Sequence, residues 1–262
     1  MGSQPPEVEE RRRRVTKPTR RGSILHNVGV RVVVLTGAGI SAESGLRTFR
    51  DSDGLWEGYS VDEVATPEGF ARNPEMVQRF YDERRAQLGG VEPNAAHLAL
   101  ARLEAVLGDD FLLVTQNVDD LHERAGSKRV LHMHGELQSA WCTACGHRMR
   151  WVGTLVDEPA CPRCGARGLR PDIVWFGEMP YGMDQIDRAL RRVQTFVSIG
   201  TSGNVYPAAG FSAFARAVGA HTVELNMEPS LGIDDFLEHH HGPAGTVVPS
   251  WVDRYLERLE LR

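Results

Sequence analysis

The chain alternates short apolar runs with stretches of helical periodicity. Residues 30–35 (VRVVVL) form the first run, Gly37-Ala38-Gly39 follows as a glycine-rich turn, and Ser41 stands where an N-cap would open a helix. Asn73-Pro74 marks the start of a helix that runs to about Leu88 and is closed by Gly89-Gly90. Pro93-Asn94 starts another, with Leu98, Leu100, Leu103, Val106 and Leu107 among its apolar positions. Strand-like runs recur at 111–117, 129–136, 172–176, 195–200, 221–226 and 246–248. Helices are predicted near 120–125, 183–193, 207–218 and 233–240, with a last amphipathic one from about Pro249. Apolar strands separated by helices predict a parallel sheet covered on both faces. The expected fold is a doubly wound, Rossmann-like α/β domain made of residues 30–57, 93–138 and 170–262. A helical insertion at 58–92 and a cysteine-bearing one at 139–169 together predict a smaller second domain.

Composition adds limits. At 262 residues the chain can bury a full core, and its apolar and charged fractions, 41% and 25%, are those of an ordinary globular protein. No apolar run approaches the roughly 18 residues of a membrane span, and residues 1–29 lack the apolar segment of a secretory signal, so a cytoplasmic, monomeric protein is expected. Residues 1–21 hold seven Lys/Arg against three Glu, a +4 tail that predicts disorder. Of 30 basic and 35 acidic residues this leaves 23 and 32, so the body carries −9. That charge, with no clustered aromatics in the cysteine segment, argues against a specific nucleic-acid binder.

Four stretches carry chemistry. Gly37 to Ala42 fits the dinucleotide fingerprint if Ala is allowed at the third small position, although the acidic residue due about 20 positions later is missing. All four cysteines lie in one segment as Cys142-x2-Cys145-x15-Cys161-x2-Cys164, the spacing of two thiolate hairpins around one zinc. Four thiolates leave no open position, so the metal would be structural. Thr115-Gln116-Asn117-Val118-Asp119 and His132-Met133-His134-Gly135-Glu136 end two apolar runs, where open parallel sheets bind ligands. Alternation puts both histidines on one face, and either could act as a general base near pH 7. The other histidines, including His239 to His241, are expected at the surface.

Taken together, GAGISAESG (37–45), TFR (48–50), TQNVD (115–119), HGE (134–136), the four cysteines, WFGE (175–178), GTS (200–202) and ELN (224–226) resemble the sirtuins, NAD-dependent protein lysine deacylases. Within that family the chain looks like the bacterial CobB type, related to the class III sirtuins. The resemblance covers the chain from about residue 30 onward. It implies that His134, directly before Gly-Glu, is the general base, with Asn117 also catalytic. Gln116, Asn117, Val118 and Asp119 would contact the ribose and nicotinamide side. Gly37, Ala38, Gly39, Ile40, Ser41, Glu43, Phe49, Arg50 and Trp56 would wrap the diphosphate and the reactive sugar. Gly200, Thr201, Ser202, Asn226, Met227, Glu228 and Ala244 would hold the adenosine half, Asn226 or Glu228 replacing the missing acid. An acyl-lysine protein or peptide would lie as an extended strand between Phe176-Gly177-Glu178 and Asn204-Val205. NAD would be consumed, the acyl group passing to ADP-ribose with release of nicotinamide and free lysine. The resemblance further implies an acyl pocket in which Tyr81 and Arg84, at i and i+3 on one helix face, take the carboxylate of a succinyl or malonyl group while Ala65 makes room. Arg85 is the rival by adjacency. A protein mono-ADP-ribosyltransferase using the same NAD site is the alternative reading.

Overall fold

The computed structural model describes residue 1, residues 32–47, the backbone of Leu55–Trp56, and residues 58–261. The basic tail, Phe49, Arg50 and the Trp56 side chain lie outside the described residues. The chain begins with β1 (Val32–Thr36), two 3-10 turns (Ala38–Ile40 and Ala42–Ser44), strands β2 (Leu55–Trp56) and β3 (Tyr59–Ser60), and helices α1 (Val61–Val64), α2 (Pro67–Arg72) and α3 (Pro74–Gln87). Next come α4 (Ala95–Leu107), β4 (Phe111–Thr115), α5 (Leu121–Arg124), β5 (Val130–His132), β6 (Gly135–Cys142), β7 (Arg148–Arg150) and β8 (Leu169–Ile173). The rest is α6 (Met183–Leu190), β9 (Thr195–Ile199), α7 (Phe211–Ala217), β10 (His221–Asn226), β11 (Glu238–His241) and α8 (Ala244–Glu260).

Six strands form one parallel sheet in the order β11-β10-β9-β1-β4-β5. The chain winds outward from β1 through β4 to β5, then returns and winds the other way through β9, β10 and β11. This is the doubly wound order, and its direction reverses between β1 and β9. Alternation along β1 explains the two-faced core. Val32 and Val34 pack with Leu100, Leu103, Val248 and Trp251 of α4 and α8. Val33 and Leu35 pack with Ile186, Leu190, Phe211 and Ala215 of α6 and α7 on the opposite face. The long helices start where their caps dictate. The Asn73 side chain accepts from the Met76 N–H at 3.1 Å ahead of Pro74, and Asn94 accepts from the Ala96 N–H at 2.9 Å.

A separate three-stranded antiparallel sheet, β7-β6-β8, carries the cysteines. Here the sequence expectation fails: residues 172–176 do not form a parallel strand of the main sheet. Their run is apolar because α3 of the helical insertion covers it, giving Val77, Phe80, Tyr81, Ile173 and Trp175 one shared core. Three other expectations are corrected. No α-helix follows Ser41, which makes no cap bond and sits between two 3-10 turns. The helix expected at 233–240 is a short 3-10 turn and the edge strand β11, whose alternating burial pairs with β10. The strand expected at 246–248 belongs to α8, which begins at Ala244 and carries Pro249 in its second turn. Its β-branched residues are apolar to fill the α4–α8 core rather than to build a sheet.

Candidate active site

The turns after β1 and β9 meet at the reversal point of the sheet. The Gly37 N–H donates to the Ile199 carbonyl at 2.9 Å and the Gly39 N–H to the Gly200 carbonyl at 2.8 Å. The glycines are required by this contact. A Cβ on Gly39 would lie 2.7 Å from the Gly200 Cα, and one on Gly200 would lie 2.4 Å from the Ile40 nitrogen. Gly200 also has φ +61°. A cavity of about 490 Å³ opens over this seam.

Beneath the seam lies a buried polar network. Ser41 Oγ donates to Asp119 Oδ2 at 3.1 Å and accepts from Asn117 Nδ2 at 3.1 Å, with His97 Nε2 at 3.4 Å. Thr36 Oγ1 donates to Thr115 Oγ1 at 2.8 Å and meets His122 Nε2 at 3.0 Å. Burial raises the Asp119 carboxyl above its usual range, against the Leu121 N–H and the Ser41 hydroxyl that both stabilise the anion. Burial lowers His97 to about 4 and pushes His122 well below its ordinary value, so both are neutral hydrogen-bonding groups. On the far wall, Gln116 Nε2 donates to Thr201 Oγ1 at 3.1 Å and Asn226 Nδ2 to the Thr201 carbonyl at 2.9 Å.

The two histidines of 132–134 differ by what holds them. His132 places Nδ1 3.2 Å from the Asn117 carbonyl and Nε2 2.8 Å from Glu123 Oε1, so both ring nitrogens are engaged. Burial opposes its charge, but Glu123, and then Glu136, outweigh burial and raise its pKa. His134 places Nδ1 3.2 Å from the Gln116 carbonyl and lines the cavity. A carbonyl only accepts, so Nδ1 carries the proton and Nε2 is the basic nitrogen. Burial lowers the His134 pKa despite that bond, leaving the ring neutral near pH 7. Gly135 has φ +83° and lies against the Asp172 carbonyl, so no other residue fits there without strain.

Past His134 the cavity continues to Ala65, Tyr81, Arg84, Leu137 and Ile173. Arg84 and Tyr81 are buried on the cavity side of α3, and Arg84 Nη1 donates to the Phe80 carbonyl at 2.8 Å. Arg85 faces the other way. Its Nε donates to the Leu137 carbonyl at 2.6 Å, and its Nη1 reaches Asp82 at 2.5 Å and the Gly153 carbonyl at 3.1 Å.

The cysteine module repeats one knuckle twice. The Gly146 N–H donates to the Cys142 carbonyl and the Gly165 N–H to the Cys161 carbonyl, each at 2.8 Å, with φ +69° and +74° at the glycines. The four sulfurs lie within 4.8 Å of one another, with 3.7 Å between Cys142 and Cys164 and 3.9 Å between Cys145 and Cys161. A tetrahedral zinc with bonds of about 2.3 Å needs sulfurs about 3.8 Å apart. The donor set therefore fits one structural zinc.

Known proteins bear on this geometry. The pattern of the Sir2 family matches residues 37–207. The chain belongs to the Sir2 family. The NAD-dependent protein deacylase of Salmonella typhimurium is 60% identical over 232 residues, which cover 87% of this chain and 85% of that protein. A crystal structure of a Sir2 homologue in complex with NAD superposes with a TM-score of 0.80 at 39% identity, covering 88% of this chain and 91% of that one. A Sir2 structure with a deacetylated p53 peptide and 3′-O-acetyl ADP-ribose gives 0.74 at 30% identity, covering 88% and 94%.

In this Sir2 protein, most residues singled out in the sequence line the one cavity: Gly37, Ala38, Gly39, Ser41, Gln116 to Asp119, His134, Gly200 to Ser202, Asn226 and Met227 at one end, and Ala65, Tyr81, Arg84, Phe176 to Glu178 and Val205 at the other. Five do not. Ile40 is fully buried in the core and Ala244 packs beside it. Glu43 accepts the Gly245 N–H at 2.6 Å and fastens the start of α8 to the glycine turn. Asn204 and Glu228 are exposed away from the lining. Glu178 is anchored by Arg170 at 2.8 Å; burial alone would raise its carboxyl, but Arg170 and the Trp175 N–H hold it below the usual carboxylate range. His97 and His122, expected at the surface, are buried: each sits in a helical pattern, and their partners in the network, Ser41 and Thr36, lie far away in sequence. His240 and His241 are likewise not idle surface groups: they meet Glu238 at 2.8 Å and Glu224 at 3.1 Å.

Proposed function

We propose that this chain is an NAD-dependent protein lysine deacylase that removes acetyl groups and also the acidic succinyl and malonyl groups. One observation carries the reading: a single cavity runs from the Gly37–Gly200 seam, past His134, to Tyr81, Arg84 and Ala65. NAD fits the seam end, where glycine backbones, Asn117, Asp119 and the Thr201–Asn226 pair offer close approach and polar groups suited to diphosphate and ribose. When bound, NAD supplies the ribose carbon that receives the acyl oxygen as nicotinamide leaves. The protein's own part is to hold and to move a proton. The Gln116 carbonyl fixes the His134 tautomer, and Nε2 accepts the proton of a ribose hydroxyl. His132 holds the Asn117 carbonyl, and Ser41 ties Asn117 to Asp119, so the polar groups that face the sugar are positioned in advance.

An acyl-lysine peptide enters as an extended strand beside Phe176-Gly177, with its acyl group reaching between α3 and β8. Arg84 supplies a planar cation and Tyr81 a phenol for a terminal carboxylate. Arg85, tied to Leu137, Asp82 and Gly153, has no access to that end. The name of the Salmonella relative and the peptide in the second solved structure support acyl transfer over ADP-ribosylation of protein.

The test pairs acetyl- and succinyl-lysine versions of one peptide with NAD. The expected result is loss of both acyl groups, with one nicotinamide released per lysine freed. Intact peptides alongside ADP-ribose attached to protein would overturn the reading.

A further inference from the structure

Trp175 is 2% exposed and Tyr81 is fully buried, and the indole Nε1 lies 3.0 Å from the phenol oxygen. An indole N–H only donates, so the Tyr81 oxygen accepts this bond. The two rings are 6.4 Å apart and tilted by 35°, so they meet through this polar contact rather than by stacking. The Tyr81 hydroxyl stays protonated, because burial raises its pKa far above neutrality, with the Trp175 N–H opposing that shift only in part.

The indole is itself held from several sides. The Arg170 guanidinium lies 3.4 Å from the Trp175 ring centroid. Arg170 bonds both Glu178 oxygens, at 2.8 and 2.9 Å, and the Ile173 carbonyl at 2.8 Å. Glu178 Oε2 also accepts the Trp175 backbone N–H at 2.9 Å, and Phe70 packs against the indole with centroids 5.1 Å apart. A fixed indole thus sets where the phenol oxygen sits and which of its lone pairs is taken.

We propose that Trp175 is a specificity-determining positioning residue: through its bond to Tyr81 it aims the phenol hydroxyl at an acyl group bearing a terminal carboxylate. This rests on the acidic-acyl reading of the Tyr81–Arg84 end. An acetyl group has no terminal acceptor for the phenol, so the Trp175–Tyr81 bond matters to succinyl- and malonyl-lysine and not to the chemistry common to all acyl groups. The bond joins β8's following loop to α3, so substrate choice depends on two elements distant in sequence.

The test is a double-mutant cycle read as the ratio of kcat/KM for succinyl-lysine to that for acetyl-lysine. Trp175→Phe keeps an aromatic side chain and deletes the donor. It is expected to lower the ratio about tenfold, the worth of one hydrogen bond to a partly charged site, through KM rather than kcat. In a Tyr81→Phe background the same change is expected to leave the ratio where Tyr81→Phe alone put it. An equal fall in both backgrounds, or an equal loss for both acyl groups, would overturn the proposal while leaving the acidic-acyl reading intact. If neither Tyr81→Phe nor Arg84→Met alters the ratio, the acidic-acyl reading itself fails, and the proposal with it. Should Trp175→Phe not fold, the reciprocal change decides: in protein labelled with ¹⁵N-tryptophan, Tyr81→Phe is expected to shift one indole N–H resonance and speed its exchange. No shifted resonance would overturn the proposal.

Discussion

His134 and His132 stand two residues apart, His132 at the end of β5 and His134 in the turn that leads to β6, and a carbonyl and a carboxylate give them different chemistry. Neutral His134 has one nitrogen held and one available, whereas Glu123 engages the second nitrogen of His132. His134→Ala is therefore expected to cut kcat by roughly 10²- to 10⁴-fold or more with an unchanged circular dichroism spectrum. Because burial places the His134 pKa below 6.5, the acid limb of kcat/KM should have its midpoint below that value, the base being lost as pH falls through it. A variant with full turnover would remove His134 from the mechanism. Arg84→Met should lower desuccinylation far more than deacetylation, in a side-by-side kcat/KM measurement; equal losses would make Arg84 structural. Period-two alternation could not separate the two histidines, because the difference lies in Gln116 and Glu123, which come from other elements. The Cys142 to Cys164 spacing was readable, since both knuckles are local and each is closed by its own glycine.

At the scale of elements, the turns after β1 and β9 act as one part. Gly200→Ala should disrupt both, since its Cβ would fall 2.4 Å from the Ile40 nitrogen in a backbone conformation that L residues avoid. The expected outcome is a lower melting temperature and lost NAD binding by calorimetry, with near-normal values counting against the interlock. From the sequence, the glycines of 37–39 read as a cradle for an anion, but their first task is to let two loops touch. Ser41 looked like a helix cap for the same reason that it is useful here: a small hydroxyl both donates and accepts, and Asp119 and Asn117 use both capacities. Residues 246–248 and 233–240 were misread because short apolar or polar runs carry no period of their own, and their partners, α4 and β10, decide the outcome.

Over the whole molecule, the doubly wound order was legible because β1, β4, β9 and β10 are buried, largely apolar runs bounded by turns, whereas β8, equally buried, belongs to the smaller sheet. Stability should depend on acid through the buried histidines. His97 and His122 are neutral when folded and take up protons when unfolded, so stability falls as pH drops below 6.5, down to about 4 for His97, by up to roughly 1.4 kcal/mol per pH unit for each. His132, whose pKa is raised, contributes stability that is complete below 6.5 and is lost as pH rises through its folded pKa. A melting temperature that falls from pH 7.5 to 5, with a shallower slope in His97→Gln, would bear this out, and a flat profile would contradict it. Removal of metal from the cysteine module with a chelator should lower the melting temperature and raise KM for succinyl-lysine before it affects kcat.

The reason for that order is a clasp on the back of α3. Asp82 Oδ2 accepts from the Leu155 and Val156 N–H groups at 2.8 and 3.1 Å, and Arg85 reaches the Gly153 carbonyl, while Tyr81 and Arg84 project from the same turns into the cavity. The helix that carries Tyr81 and Arg84 is thus braced by the cysteine module, and the glycine seam by the main sheet. On the proposed reading, substitutions at the clasp would retune which acyl group is accepted while leaving the glycine seam as it is.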